Sequence, residues 1–484
     1  MSQTIEKTSW RYAGALSALS ADERASVLRR TSVATSSLVR EATEEIVRRV
    51  RVDGDGALRE MALAYDGVSL EALEVPRPVR RRALEAVARP LRSALKRAAR
   101  NIELVHAASP PRTVEVETEP GVIVGRRPDP LQRVGIYSPG GRAAYASSVL
   151  MAGIPARVAG VSEIILCSPP QSDGYPAGVA LAACEIAGVD RVFSLGGAGA
   201  IAAMAYGTET VPRVDRIVGP GNVYVAEAKL QVSRDVGIDS PAGPSELLVI
   251  CDAGCDVRTI AREVLAQAEH DPNASVVVLC LDDATASSIA RAVEQILPDA
   301  PRADVIRVAL EQRGALITAA SISEAVNFAN DFAPEHLLLA LTDREAETGK
   351  REAGNGDRAT GNGQRATGNG LPVTGYGQRA RARETDTAYL EGVLSNIRNA
   401  GTVFVGEQSS VVFGDYITGG NHVLPTGGLA RSYSGLGPLD FVRWTSYQKV
   451  TPDAAQRLAN DTALLAAAEG LPAHAAAALG WSEQ

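Results

Sequence analysis

An alternation along the chain constrains the fold more than any other feature. Short runs rich in Val, Ile and Leu occur at 133–138 (RVGIYS), 162–168 (SEIILCS), 191–196 (RVFSLG), 215–219 (DRIVG), 245–251 (SELLVIC) and 275–281 (SVVVLCL). Between several of them lie Ala-rich helical stretches: SSVLMAGIPARVAG, GVALAACEIAG and AIAAMAYG. An apolar run without polar alternation belongs to a strand buried on both faces, and helices on both sides of a parallel sheet provide that burial. The pattern therefore predicts an α/β fold with largely parallel sheets. Residues 20–106 differ, being charged, Arg-rich and without strand signals; they read as a helical layer against the first sheet.

The bulk numbers exclude several classes. A chain of 484 residues, 45% hydrophobic and 22% charged, has enough apolar material for two large domains. Its net charge of −8 gives no footprint for nucleic acid. No run approaches the roughly 18 apolar residues of a membrane span. The opening MSQTIEKTSWRY is polar and lacks the apolar core of a secretion signal. The five cysteines, Cys167, Cys184, Cys251, Cys255 and Cys280, are odd in number and form no disulfide framework. They read as core or loop thiols in a reducing, cytoplasmic setting.

Residues 344–384 interrupt the pattern. DRATGNG (357–363) is followed at once by QRATGNG (364–370), in a Gly-, Asn- and Arg-rich context. This reads as a disordered insertion between the strand LLLALTD and the helix YLEGVLSNIRNAG. It is not a phosphate loop, because no GK[ST] follows.

Four of the five histidines keep polar company; the fifth, His106 in NIELVHAAS, does not. In LAQAEHDPNA (265–274), Gln267 and His270 share one face of a helix near its end. They could hold a divalent ion, or His270 could answer the helix dipole. In DFAPEHL, Glu335 and His336 precede a strand and could divide general acid–base work, or be a surface pair. In GDYITGGNHVLPTGG (414–428), Asp415 and His422 sit on a Gly-rich loop that can approach a ligand, or form a structural turn. In AEGLPAH, Glu469 and His474 lie near the C-terminus, where a histidine is usually solvent-exposed. Gln267, His270, Asp415 and His474 together make an N/O donor set suited to zinc, with manganese or cobalt as substitutes.

At these residues the chain resembles the histidinol dehydrogenase family. The motifs are VGIYSPGG (134–141), GGAGAIAAMAYGTETVPRVD (196–215), GPGN (219–222), DSPAGPSE (239–246), QAEHDP, FAPEHL, GDYITGGNHVLPT and the AEGLPAH tail. The resemblance implies oxidation of L-histidinol through L-histidinal to L-histidine with one zinc per subunit and two NAD+. It implies zinc ligands Gln267, His270 and Asp415, with His474 supplied by the other subunit of a homodimer. Ser245, Gln267, His270, His336, Asp415, His422, Glu469 and His474 match substrate-contacting positions. Glu335 and His336 match the proton-transfer pair, His336 serving the alcohol step and Glu335 the water. Tyr137, Gly199 and Asn222 match dinucleotide contacts.

The implied fold is two Rossmann-like domains, a helical N-terminal layer and a small C-terminal helical domain exchanged between subunits. An N-terminal extension covers 1–22, the first α/β domain 23–130 and 244–434, the second 131–243, and the exchanged tail 435–484. Two departures stand out. Gly199 replaces the family's usual Gln and creates Gly197-x-Gly199-x-x-Ala202, a pattern like a Rossmann fingerprint that Ala-rich turns produce easily. The segment before Asp415, EQSSVVFGD, is more apolar than usual, which leaves open another small polar alcohol as substrate. A metal-dependent hydrolase with Glu335 as base is the alternative from another class.

Overall fold

The structure is a computed structural model that describes residues 10–30, 37–140, 145–241, 243–342 and 388–482. The insertion read at 344–384 lies outside them. No helix among the described residues is long and apolar enough to cross a membrane.

Two parallel sheets organise the chain. The larger has six strands in the order Tyr12–Ala15, Ala315–Thr318, Ser275–Cys280, Glu246–Cys251, His336–Ala340, Thr402–Val405. The smaller has five, ordered Arg191–Ser194, Glu163–Ser168, Arg133–Tyr137, Arg216–Val218, Gly237–Ile238. Every pairing in both is parallel. All six residues of Glu246–Cys251 and of Ser275–Cys280 are buried, as the unbroken apolar runs require. Side-chain caps start several of the helices: Asp256, Asp282, Ser321 and Asn222 each accept backbone amides of the first turn. All five cysteines are buried and unpaired.

Two details differ from the sequence reading. The apolar faces of the helices between Ser37 and Ala107 are turned to the five-stranded sheet: Val50, Leu58 and Met61 share a core with Ile165 and Ile201, and Leu95 and Ile102 share one with Ile136 and Leu166. The sequence had grouped 23–130 with 244–434. An amphipathic helix displays an apolar stripe but nothing that says which sheet it covers. Second, the stretch 435–484 is not all helix. Val442–Val450 is a strand that pairs antiparallel with Val122–Pro130, which in turn pairs with Val114–Glu119. Its exposed, polar-rich face weakens the strand signal.

Each parallel sheet reverses its strand order once. In the smaller sheet the reversal lies between Arg133–Tyr137 and Arg216–Val218, and the crevice at the C-terminal ends of such strands is a natural ligand site. In the larger sheet it lies between Glu246–Cys251 and His336–Ala340. There the C-terminal mouth is closed: Asp252 accepts the Thr342 amide and hydroxyl, both at 2.8 Å. The polar residues gather at the opposite, N-terminal mouth.

Candidate active site

Glu335 and His336 enter the site through an unusual turn. The helix Ile322–Phe332 ends at Ala333, whose φ of 50° and ψ of 66° are left-handed without being glycine. Pro334 follows, and then the strand begins. Neighbouring residues of a strand normally face apart. At this strand head both side chains are buried, and Glu335 Oε2 lies 3.5 Å from His336 Nδ1. Gly401 runs close alongside: a Cβ there would lie 2.6 Å from the Glu335 carbonyl oxygen.

Asp415 sits on the short helix Val411–Tyr416, with Oδ1 3.5 Å from His336 Nε2. Its carboxyl pKa is held below the usual range. Burial opposes this, but the His336 hydrogen bond and the charges of His336, His422 and His270 prevail. Asp415 is thus an ionised oxygen donor surrounded by three of the chain's five imidazoles. Burial pushes Glu335 up to about 8, partly offset by His336. Burial works against a charge on His336, yet Glu335 and Asp415 outweigh it and raise the imidazole to about 9.

Hydrogen bonds fix the imidazoles. His336 Nδ1 donates to the Glu246 carbonyl at 3.0 Å, since a carbonyl only accepts, and its buried Nε2 faces Asp415 Oδ1 across 3.5 Å. His422 Nδ1 donates to the Asp415 carbonyl at 2.8 Å, and its Nε2 accepts from Ser148 Oγ at 3.1 Å. Burial lowers the His422 pKa and favours this neutral form.

Gln267 occupies the last turn of Val257–Ala268, where it is buried with its amide nitrogen unpartnered. His270 follows just past the helix end. It is exposed on one side, yet surrounding protein lowers its pKa, opposed by Asp415. Among the described residues no group of three His, Cys, Asp or Glu side chains forms a closed metal site. The donor chemistry nevertheless suits a divalent ion: an ionised carboxylate, an imidazole of lowered pKa, and a buried side-chain amide whose oxygen can ligate. Glu469 and His474 are exposed on the tail helices Pro452–Ala468 and Pro472–Leu479, which pack chiefly on each other. The structure does not bring them to this site. Ser245 lies at the mouth, immediately before Glu246–Cys251, and its carbonyl accepts the Ser275 amide.

Of the three dinucleotide candidates, Tyr137 and Asn222 flank the smaller sheet's reversal, and Gly199 does not, being covered by the helices between Ser37 and Met61. Tyr137 ends its strand, buried, and its hydroxyl accepts the Gly197 amide at 3.0 Å; burial raises its pKa to about 12. Asn222 is the exposed cap of Val223–Val232. The loop before it is braced from below. Gly219 donates to Asp239 at 2.7 Å and accepts from Lys229 at 3.1 Å, and Lys229 and Asp239 form a buried ion pair. Gly219 itself must be glycine, because a Cβ would lie 2.1 Å from the Tyr137 carbonyl oxygen. Gly199 is buried under the helical layer. A Cβ there would lie 3.1 Å from Met61 Sδ and 3.4 Å from Leu58 Cδ2.

Sequence reasoning missed Glu246, Arg30 and Glu263. Glu246 left a signal, being a carboxylate at the head of an otherwise apolar strand run. Glu263 looks like an ordinary charged helix residue, and Arg30, just past the helix Ala21–Leu28, like an ordinary surface charge, until their partners are seen.

The Histidinol dehydrogenase family model matches residues 29–355 and 384–479. A histidinol dehydrogenase of Methanosarcina mazei is 40% identical over 438 residues, 90% of each chain. One from Natronomonas pharaonis is 42% identical over 462 residues, 95% of this chain and 97% of its own. The crystal structure of histidinol dehydrogenase from Elizabethkingia anophelis superposes with a TM-score of 0.84 at 31% identity, covering 98% of both chains. The match takes in both parallel sheets, the Glu335–His336–Asp415 cluster and the tail, and the chain belongs to the histidinol dehydrogenase family.

Proposed function

We propose that this chain is a zinc-dependent, NAD-dependent dehydrogenase that oxidises L-histidinol through L-histidinal to L-histidine, with two NAD+ consumed. The observation that carries the reading is the buried cluster of Glu335, His336 and Asp415, with His336 Nε2 3.5 Å from the Asp415 carboxylate. Family membership supplies the substrate.

Gln267, His270 and Asp415 would hold the zinc, with His474 from the second subunit of a homodimer. When bound, zinc supplies a Lewis acid that orients the substrate's nitrogen donors. In its neutral form, which its raised pKa of about 9 places at alkaline pH, His336 takes the hydroxyl proton at Nε2 as hydride leaves the carbinol carbon for the nicotinamide. Its Nδ1–H, fixed on the Glu246 carbonyl, keeps Nε2 aimed into the site. Glu335, once ionised above its raised pKa of about 8, then draws a proton from the water that adds to the aldehyde carbon, and a second hydride transfer yields the carboxylate. The first oxidation releases one hydride and one proton and the second one hydride and two protons, the last as the acid ionises, so two NADH form and one water is consumed. Glu469 would accept a hydrogen bond from the substrate's amino group, and His422 and Ser245 would line its remaining polar edge.

The tail supports the exchange of His474 between subunits. Leu464, Leu465 and Trp481 are 69%, 70% and 50% exposed on it, an apolar surface that a single chain leaves uncovered. Tyr137 and Asn222 would bind the dinucleotide across the smaller sheet's crevice. A second reading, a different small polar alcohol, is favoured by one feature: Val412 and Phe413 are exposed beside Asp415. Product analysis separates the two. Zinc-loaded protein given L-histidinol and NAD+ should accumulate L-histidine; turnover of a simple diol with no histidine formed from histidinol would select the second.

A further inference from the structure

Glu246 touches both members of the Glu335–His336 pair through its backbone. Its N–H donates to Glu335 Oε2 at 2.8 Å, and its carbonyl accepts from His336 Nδ1 at 3.0 Å. The aim of both functional groups therefore depends on where this one residue sits. Its side chain is anchored in turn: the carboxylate accepts from Arg30 Nη1 at 2.8 Å, the Gly427 amide at 2.8 Å and the Glu335 amide at 3.3 Å.

Arg30 ties the two strand heads together. One end of its fork meets Glu246; the other donates to the Phe332 carbonyl, with the Ala333 carbonyl at 3.5 Å. The guanidinium lies over the Phe332 ring, 3.7 Å from its centroid. It thus grips the left-handed Ala333 turn that delivers Glu335, and the strand head that receives Glu335. Both side chains are buried, at 6% and 2% exposure. A planar fork can serve two acceptors in different directions at once, which a lysine ammonium does less rigidly. Buried ion pairs contribute little net stability compared with apolar replacements. Fixing geometry accounts better for one placed here.

We propose that Arg30 and Glu246 are positioning residues that aim the Glu335 carboxylate and the His336 imidazole, so that their loss lowers turnover and not substrate affinity. This rests on the proton-transfer role proposed above for Glu335 and His336.

The test uses the zinc-loaded full-length chain and compares Arg30→Lys with the double variant Arg30→Met/Glu246→Gln, which removes both buried charges together. We expect kcat for L-histidinol to fall about 10- to 100-fold in both. KM and zinc content should stay within about threefold of the parent, and the double variant should retain a cooperative melt. A purely structural pair would give the double variant a normal kcat once it is folded. Should the double variant fail to fold, Arg30→Lys decides alone. A kcat within about threefold of the parent in the folded variants, or a defect confined to KM, overturns the proposal. A parent that does not oxidise histidinol overturns the functional reading and this one with it. An active parent with undiminished variants overturns this one alone.

Discussion

Glu263 caps the helix that carries Asp415: its buried carboxylate accepts the Val411 amide at 3.2 Å and the Ser410 hydroxyl. Glu263 lies one turn before Gln267 on Val257–Ala268. Two proposed zinc ligands from distant parts of the chain are thereby held in register. Glu263→Ala removes a cap worth about 0.5–2 kcal/mol. It should also weaken zinc binding about 10- to 100-fold. Competition against a chelator of known affinity checks this, with Glu263→Gln expected to lose less. Unchanged zinc affinity in Glu263→Ala would show that Asp415 is held by other means.

His474→Ala should fold normally, since the residue is exposed and makes no core contact, yet lose zinc and activity. A mixed dimer sharpens the point. Co-expression of His336→Asn chains with His474→Ala chains leaves one of two shared sites intact in each heterodimer. Activity should return, to roughly half the parental value per heterodimer if the sites act independently. If both homodimers are inactive and the heterodimer stays inactive, the shared site is wrong.

Excising 346–382 should leave turnover and KM largely unchanged. The family model breaks at 355 and resumes at 384, and the heptad repeats offer no apolar pattern to pack. Halving the length of a loop changes closure entropy by only about 0.6 kcal/mol. Steady-state kinetics of the excised chain check this; loss of activity in a chain that still melts cooperatively would assign the segment a role.

Gly199→Ala should lower the melting temperature. Helix propensity favours alanine by at most about 1 kcal/mol. Overpacking against Met61 and Leu58 costs about 1–3 kcal/mol in a core this tight. A rise in melting temperature would mean that the helical layer yields more easily than the 3.1 Å approach implies.

Much of this was legible in the sequence because burial on two faces leaves an unmistakable mark. The runs at 245–251 and 275–281 became adjacent strands of one sheet, and the rare histidines pointed to Asp415's surroundings. What could not be read was long-range pairing. Nothing in residues 37–107 says which sheet their apolar faces cover. Nothing near Arg30 announces Glu246, 216 residues away. Val442–Val450 alternates like a strand but exposes much of its surface, so its apolar signal is diluted. Glu469 and His474 carry a subtler lesson: in a single chain they are exposed on tail helices that pack chiefly on each other.

The most direct measurement is the yield of NADH per L-histidinol, taken with the zinc-loaded protein, after chelation, and after zinc is restored. The account predicts two NADH per histidinol, none after chelation, and two again on adding zinc back. One NADH per histidinol, or a yield indifferent to the chelator, would contradict it.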